Sequence, residues 1–542
     1  MMAVKRGSLG LRLMLIIALL FAVLQPLTPK ANADSIHHWK HYTNGVNYLK
    51  QGKTKLAIKE LELAVAQSEQ AGYLRKLAEA YQLDTQFQKA ADTYYREAKI
   101  HKKLGEKSGD LNTYYAVMAL ADGLNTEIEF FLEQNKAAPP ATSVKLAKFE
   151  PQSGMYIGAY IDKDSGVEKL RDGKFKAFND KTGKQHAVYF NYHKYGSPFP
   201  YHWAEQVKKA GGAIQLALQP DKGLSEVKDD AYLRKFAKDA EEAGVPVFLR
   251  FASEMNGSWV KWNGNPSLYI EKFRLVSKVM KEEAPNVAMV WSPAANPKQK
   301  ITAYYPGDDY VDWVGLSIYS VKYFNGNVKT PADQVNPLDS LDFVYQTYAG
   351  RKPIMVSEYG ATHFSKAGST STVNFAITKM NMLYHGAKLK YPRLKSINWF
   401  SLNTLTDSHS ADRSLNNFSL TESAPLLAAY SRLIKDPYYL SKVVEPKQQA
   451  KGYEKSVTKF ANQGTISNTA TGIVWVKTYD PYISKVVAKV DGIEVMSKQQ
   501  YPYAFTIDPK KLKTGSHKLE IIVFDSKSRV ASRKLVNFKT TR

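Results

Sequence analysis

Cysteine is missing from all 542 residues. Its absence excludes disulfide staples, thiolate chemistry and a lipid-modified N-terminal Cys. Stability must then come from hydrophobic cores. Single cores stop growing near roughly 250–300 residues, so two to four domains are expected. Long apolar runs are also scarce. The exception is Leu13–Leu24, which follows Lys5, Arg6 and Arg12 and precedes Ala31-Asn32-Ala33 and Asp34. It is shorter than the ~20 residues needed to span a bilayer. The pattern predicts a signal peptide over 1–33 and a secreted or cell-envelope location, with an uncleaved anchor as the other reading. Acidic residues are in deficit, 51 against 75 basic, for a formal net charge of +24. No Lys/Arg block or nucleic-acid motif accompanies that charge, which excludes an obvious nucleic-acid binder. Adaptation to an anionic envelope and a plain surplus of surface Lys both fit.

What is present is a globular composition, 44% hydrophobic and 23% charged, rich in Tyr (34) with 8 Trp. From 34 to 136 small and apolar residues recur at three- and four-residue steps, as in Ala57, Leu61, Ala64 and in Ala90, Tyr94, Ala98. Ala57 and Ala91, then Ala64 and Ala98, share an offset near the ~34-residue period of tetratricopeptide repeats, which the stretch resembles. Partner binding, spacing and a plain helical bundle all fit it. Pro139-Pro140 marks a linker over 137–150. Across 151–444, eight β-rich runs alternate with helical segments. They centre on Tyr156–Ile161, Ala187–Tyr192, Ala213–Leu218, Val245–Phe251, Val287–Trp291, Val311–Tyr319, Pro353–Glu358 and Ser396–Ser401. Eight such units predict an α/β fold, a (β/α)8 TIM barrel. The open doubly wound alternative lacks a glycine-rich loop after its first strand. From 445 to 542, short strands between turn signals predict an all-β sandwich resembling bacterial immunoglobulin-like modules. From Lys451 onward it carries 17 basic and 7 acidic residues, so an anionic wall or matrix polymer and an inert basic spacer are equal readings.

Barrel active sites lie at the C-terminal ends of strands. Two carboxylates end strands there: Glu254 the fourth and Glu358 the seventh. Alternation puts Arg250, Ala252 and Glu254 on one face, and Ile354, Val356 and Glu358 on one face. One protonated and one ionised carboxyl across a cleft is what glycoside hydrolysis needs. Arg250 and Tyr319 are candidates to keep one carboxylate ionised. For a lone strand-end Glu, a salt bridge or loop anchor would be the better reading; two at matching ends favour chemistry. Asp162, Tyr192, His193 and Gln219, near other strand ends, could bind sugar hydroxyls or simply tie loops.

The run Arg250-Phe-Ala-Ser-Glu254-Met-Asn-Gly-Ser-Trp259-Val-Lys-Trp262 resembles the acid/base segment of family 26 glycoside hydrolases. Val311-Asp-Trp-Val-Gly-Leu-Ser-Ile-Tyr319, Ser357-Glu358-Tyr-Gly and Asn398-Trp399-Phe resemble its sixth, seventh and eighth strands. The resemblance implies a retaining, metal-independent, cofactor-free endo-β-glycosidase acting on β-mannan, mixed-linkage β-glucan or β-1,3-xylan. It implies Glu254 as acid/base and Glu358 as nucleophile, with Arg250, Asn256, Trp259, Trp262, Tyr319 and Trp399 about the substrate. Ser253 stands where the family usually has His, which leaves the sugar open, an exopolysaccharide included. The alternative is a non-catalytic glycan-binding envelope scaffold that recruits a protein partner through its helical repeats.

Overall fold

The computed structural model describes residues 30–134, 145–408, 413–444 and 455–541. Most of the signal-peptide and linker readings, 1–29 and 137–144, lie outside the described residues. From Lys30 to Lys103 the chain forms a compact helical unit. It comprises α1 (Lys30–Lys50), α2 (Thr54–Gln67), α3 (Ala71–Leu83) and most of α4 (Phe87–Ser108). The periodic small residues are the ones that disappear from solvent: Ala57, Leu61, Ala64, Ala90, Ala91, Tyr94 and Ala98 are all buried. Small side chains let these helices approach closely, and Arg75 fastens α3 to α4 by a forked bond to Glu97 at 2.8–3.0 Å.

The helical reading stops short of 136. Helix α5 (Asn112–Leu124) is followed by a strand, β1 (Glu127–Gln134). The barrel then runs β2 (Met155–Tyr160), α6 (Lys174–Thr182), β3 (Val188–Lys194), α7 (Tyr201–Lys209), β4 (Ala213–Gln219), α8 (Ala231–Glu242) and β5 (Val247–Phe251). It continues α9 (Pro266–Glu283), β6 (Val287–Trp291), β7 (Trp313–Ser320), α10 (Pro337–Tyr348) and β8 (Ile354–Ala361). Short β9 (Phe364–Ser365) and β10 (Thr370–Ser371) precede α11 (Val373–Lys390) and β11 (Leu394–Phe400). Then come β12 (Asn416–Asn417), which pairs with β9, α12 (Ala424–Ile434) and β13 (Tyr439–Leu440). Each of the eight expected runs is a barrel strand. All pair in parallel, and β11 closes on β2 through Ser396↔Tyr156 to Phe400↔Tyr160. The barrel floor is apolar, built from Tyr156, Val188, Phe248, Ala288, Trp313 and Met355. Val247, Leu249 and Phe251 face the helices instead.

The C-terminal region is a two-sheet sandwich. Its strands are β14 (Ser456–Lys459), β15 (Gly464–Ile466), β16 (Ala470–Lys477), β17 (Lys485–Val490), β18 (Ile493–Lys498), β19 (Tyr503–Ile507), β20 (Gly515–Phe524) and β21 (Val530–Thr540). One sheet is β15-β21-β20-β17-β18, and the other is β14-β1-β16-β19. The strand that precedes the barrel in sequence thus sits inside the sheet that follows it. Phe131 pairs with both Lys459 and Ile473. Alternation gives β1 two jobs. Ile128, Phe130 and Leu132 enter the sandwich core. Phe131 on the other face joins the barrel core, as do Ile473 and Trp475 of β16. Charges seal this seam: Lys388 of α11 meets Glu133 at 2.7 Å, Lys390 meets Glu127, and Lys477 meets Asp339 of α10 at 2.8 Å.

Candidate active site

Glu358 reaches the barrel interior through an irregularity in β8. On the β7 side Leu316 pairs with Val356, but Ser317 pairs with Glu358. On the β11 side Ile397 pairs with Val356 and Trp399 with Tyr359. Both neighbours therefore show one extra residue in β8, a β-bulge at Ser357–Glu358. The expected face shared by Ile354, Val356 and Glu358 is not formed. Ile354 and Val356 point to the helices, and the bulge turns Glu358 inward. There Arg250 Nη1 donates to its Oε1 at 2.7 Å, and the Tyr319 hydroxyl donates to its Oε2 at 2.5 Å. Arg250 is wholly buried and also reaches Ser317 Oγ at 3.4 Å.

Glu254 lies just past β5 on strained backbone. Ala252 and Glu254 both adopt left-handed conformations, φ 47° and 60°, which cost L-residues roughly 1–3 kcal/mol each. Surrounding bonds fix them. Glu254 N donates to Ser292 O at 2.8 Å, and the Trp262 indole N–H donates to Ser253 O at 2.7 Å. Asn256 binds Ala294 from both sides, accepting from its N at 2.8 Å and donating to its O at 3.0 Å. The Glu254 carboxyl itself is half-buried and accepts from Trp259 Nε1 at 2.7 Å. Burial, and then the charge of Glu358, push its pKa above the ordinary value; bonds from Trp259 and Ser317 and the charge of Arg250 only partly offset this.

Both carboxylates line one open cleft of about 1110 Å³. Trp259 (49% exposed) and Tyr319 (36%) line it too, together with Ser253. Three expected substrate contacts need correction. Trp399 is fully buried among Tyr359 and Tyr430 with its indole N–H on Phe418 O, so it faces the helices and floors no cleft. Asn256 is fully buried with its amide spent on backbone, so it braces the loop. Arg250 lies beneath the cleft and acts on Glu358. Trp262 touches the cleft wall but is 4% exposed, its N–H committed to Ser253.

Other aromatics supply the wall. Phe400 stacks on Tyr160 at 5.2 Å and meets Tyr319 edge-on at 5.6 Å, with Phe418 beside Tyr319. Tyr192 and Gln219 also line the cleft. Burial and the adjacent charge of Glu358 raise the Tyr192 hydroxyl well above its ordinary value. Asp162 is instead tied to Lys174 and Trp203, and His193 to Ser197 O, away from the cleft. Phe400 was missed although alternation carried the signal: it shares a strand face with Ser396 and Asn398, opposite Ile397 and Trp399.

An eight-stranded parallel barrel with two strand-end glutamates in an aromatic cleft defines the glycoside-hydrolase type of site. Residues 220–336, which include Glu254 and Tyr319, match the model of Glycosyl hydrolase family 26. Endoglucanase H of Acetivibrio thermocellus is 24% identical over 302 residues, covering 52% of this chain and 30% of that protein. A mannan endo-1,4-beta-mannosidase of Bacillus subtilis (strain 168) is 36% identical over 104 residues, 17% of this chain and 28% of that protein. The chain thus spans less than a third of the length of these curated relatives. The solved catalytic domain of a GH26 endo-beta-1,4-mannanase from Bacillus sp. JAMB-750 is similar at 17% identity and a TM-score of 0.41, covering 58% of this chain and 98% of that one.

Proposed function

We propose that the chain is an exported retaining endo-β-glycanase. One observation carries the reading: two carboxyl groups in one cleft have opposite surroundings, Glu358 held by a cation and a phenol, Glu254 pushed up by burial and by its neighbour's charge. In the first step Glu358 attacks the anomeric carbon. The glycosidic C–O bond breaks, and Glu254 gives its proton to the leaving oxygen. Forming the glycosyl ester removes the negative charge on Glu358. That charge is one of the causes that raise Glu254, so Glu254 now favours its ionised form. It then takes a proton from water, which attacks the anomeric carbon and frees Glu358.

The substrate is a β-linked polysaccharide, with mannan, mixed-linkage glucan, β-1,3-xylan and a self-made exopolysaccharide as candidates. Ser253 on the cleft wall offers one short hydroxyl where an imidazole would reach further, so the sugar is open. The N-terminal helical pairs are proposed as a protein-docking or spacing unit, and the basic sandwich as a contact for an anionic wall polymer. The test is hydrolysis of that polysaccharide panel by the unaltered chain, Glu254→Gln and Glu358→Gln. Gln at 358 is preferred to Ala because it leaves Arg250 an oxygen partner. Turnover by the unaltered chain and loss in both variants is expected. Glycan binding without hydrolysis by the unaltered chain would replace this reading with the scaffold one.

A further inference from the structure

Above its apolar floor the barrel interior changes character. Gln215 of β4, Ser292 after β6, Ser357 of β8 and Asn398 of β11 form a layer of polar side chains, all fully buried. None of the four lines the cleft. A polar layer in a barrel core costs stability unless its groups are paired, and apolar side chains fill the layer below. Here the pairing converges on one feature, the β8 bulge. Gln215 Nε2 donates to Ser357 O at 3.1 Å. Asn398 Nδ2 donates to Val356 O at 3.1 Å and lies 3.4 Å from Gln215 Oε1. Ser292 Oγ donates to Ser357 Oγ at 3.1 Å. The acceptors are thus the carbonyls of Val356 and of the extra residue, together with its hydroxyl.

Neighbouring strands make room for the layer by omitting side chains. A Cβ on Gly158 would lie 1.9 Å from Asn398 Oδ1, and one on Gly315 would lie 2.3 Å from Ser357 Oγ. Regular alternation from Met355, which sits in the barrel floor, would place Ser357 inside and Glu358 outside among the helices. The extra residue reverses that for Glu358. Something must hold it, because a regular ladder would satisfy the same backbone groups.

We propose that Gln215 and Asn398 are positioning residues, whose amide groups clamp the extra residue of β8 and so aim Glu358 into the cleft. The kinetic consequence rests on the glycanase reading; the structural one does not. Gln215→Met keeps the bulk and removes both hydrogen-bonding groups. In its crystal structure the 2.7 Å Arg250–Glu358 contact should be lost or β8 should regain regular pairing. An unchanged contact and register would overturn the proposal whether or not the chain hydrolyses anything.

On the panel polysaccharide that the unaltered chain cleaves best, Gln215→Met should lose about 10-fold or more in kcat with KM within about threefold, since misplacement of about 1 Å can cost 100-fold. Gln215→Glu separates aim from packing, and it serves if Gln215→Met does not fold. A buried carboxyl stays protonated to higher pH and can then donate to Ser357 O. Its kcat relative to the unaltered chain should recover toward acid pH and fall as pH rises. A ratio that does not vary with pH would refute the clamp. No hydrolysis by the unaltered chain would instead refute the glycanase reading and leave the crystallographic arm to decide.

Discussion

Among the described residues, two groups of buried ion pairs serve different ends. At the seam between barrel and sandwich, Lys477 meets Asp339, Lys388 meets both Glu133 and Asp436, and Lys390 meets Glu127. Beneath the cleft one buried cation, Arg250, contacts one of two carboxylates. The seam neutralises its charges between elements far apart in sequence and so fixes how two layers dock. The cleft leaves one glutamate without a cation partner of its own. What it stores is a raised proton affinity at Glu254, set by burial and by the charge of Glu358. Breaking the seam should cost stability at constant chemistry, and altering the cleft should do the reverse.

The largest effect belongs to the cleft. Glu358→Gln should lower kcat by on the order of 10^4 to 10^6-fold, the range seen when a covalent nucleophile is removed. Thermal unfolding should shift little, because the amide oxygen still accepts from Arg250 and the repulsion between Glu358 and Glu254 is removed. A variant that keeps measurable turnover, or that melts far below the unaltered chain, would erase the contrast between the two regions.

The next effect belongs to the seam as a whole. Strand β1 buries Ile128, Phe130 and Leu132 in the sandwich, each worth roughly 1.5–3 kcal/mol. The sum is comparable to the roughly 5–15 kcal/mol that stabilises an ordinary domain. Residues 455–542 expressed alone should therefore lack cooperative unfolding and native amide protection. Fusing 127–134 to that fragment through a flexible linker should restore both. A cooperatively melting fragment without the strand would show that the seam is an accessory to the sandwich.

A smaller effect follows from one seam pair. Lys477→Met should destabilise at the low end of the about 3–5 kcal/mol expected when one member of a buried pair is removed, because Asp339 keeps a fifth of its side chain in solvent. Burial already pushes Asp339 up to about 6 against the pull of Lys477, so losing Lys477 raises it further. A carboxyl with a raised folded pKa binds protons more tightly folded than unfolded. Stability is thus lost as pH rises from the unfolded value of about 3.9 through the folded one. The variant should fall further behind at pH 8 than at pH 5, with kcat unchanged at both. Adding Asp339→Leu should recover most of the loss.

The two regions also differ in how far the sequence discloses them. The barrel was legible because its strands carry local alternation, and a strand-end Glu needs only its own strand to be placed. Arg250 and Tyr319 were sensible partners for a carboxylate because they end inward-facing runs. The seam was not legible. Glu127–Gln134 continues a helical stretch and meets its partners more than 320 residues later, so no local pattern announces the pairing. The bulge was hidden for a related reason. Counting by twos assumes a regular ladder, and one extra residue moves Glu358 to the opposite face. The resemblance put Trp399 at the substrate, whereas the strand's alternation gives that place to Phe400. Asn256 belongs to the most specific motif of the chain yet holds a loop, because a motif records which residues a site requires and not which of them meet the substrate.

The smallest effect tests the proton affinity of the cleft directly. The Trp259 indole N–H on Glu254 favours the ionised carboxyl and so opposes burial and the charge of Glu358. Trp259→Phe removes that bond and keeps an aromatic ring at the cleft wall. The folded pKa of Glu254 should rise. The protonated form, which the first step requires, then survives to higher pH. The alkaline limb of kcat/KM reports that ionisation in the free enzyme, so it should move upward by up to about one pH unit, equivalent to about 1.4 kcal/mol. A ring that served only as a sugar contact would raise KM and leave the limb where it was. Displacement of the limb toward lower pH would mean that the indole holds the proton on Glu254, opposite to the direction of its hydrogen bond.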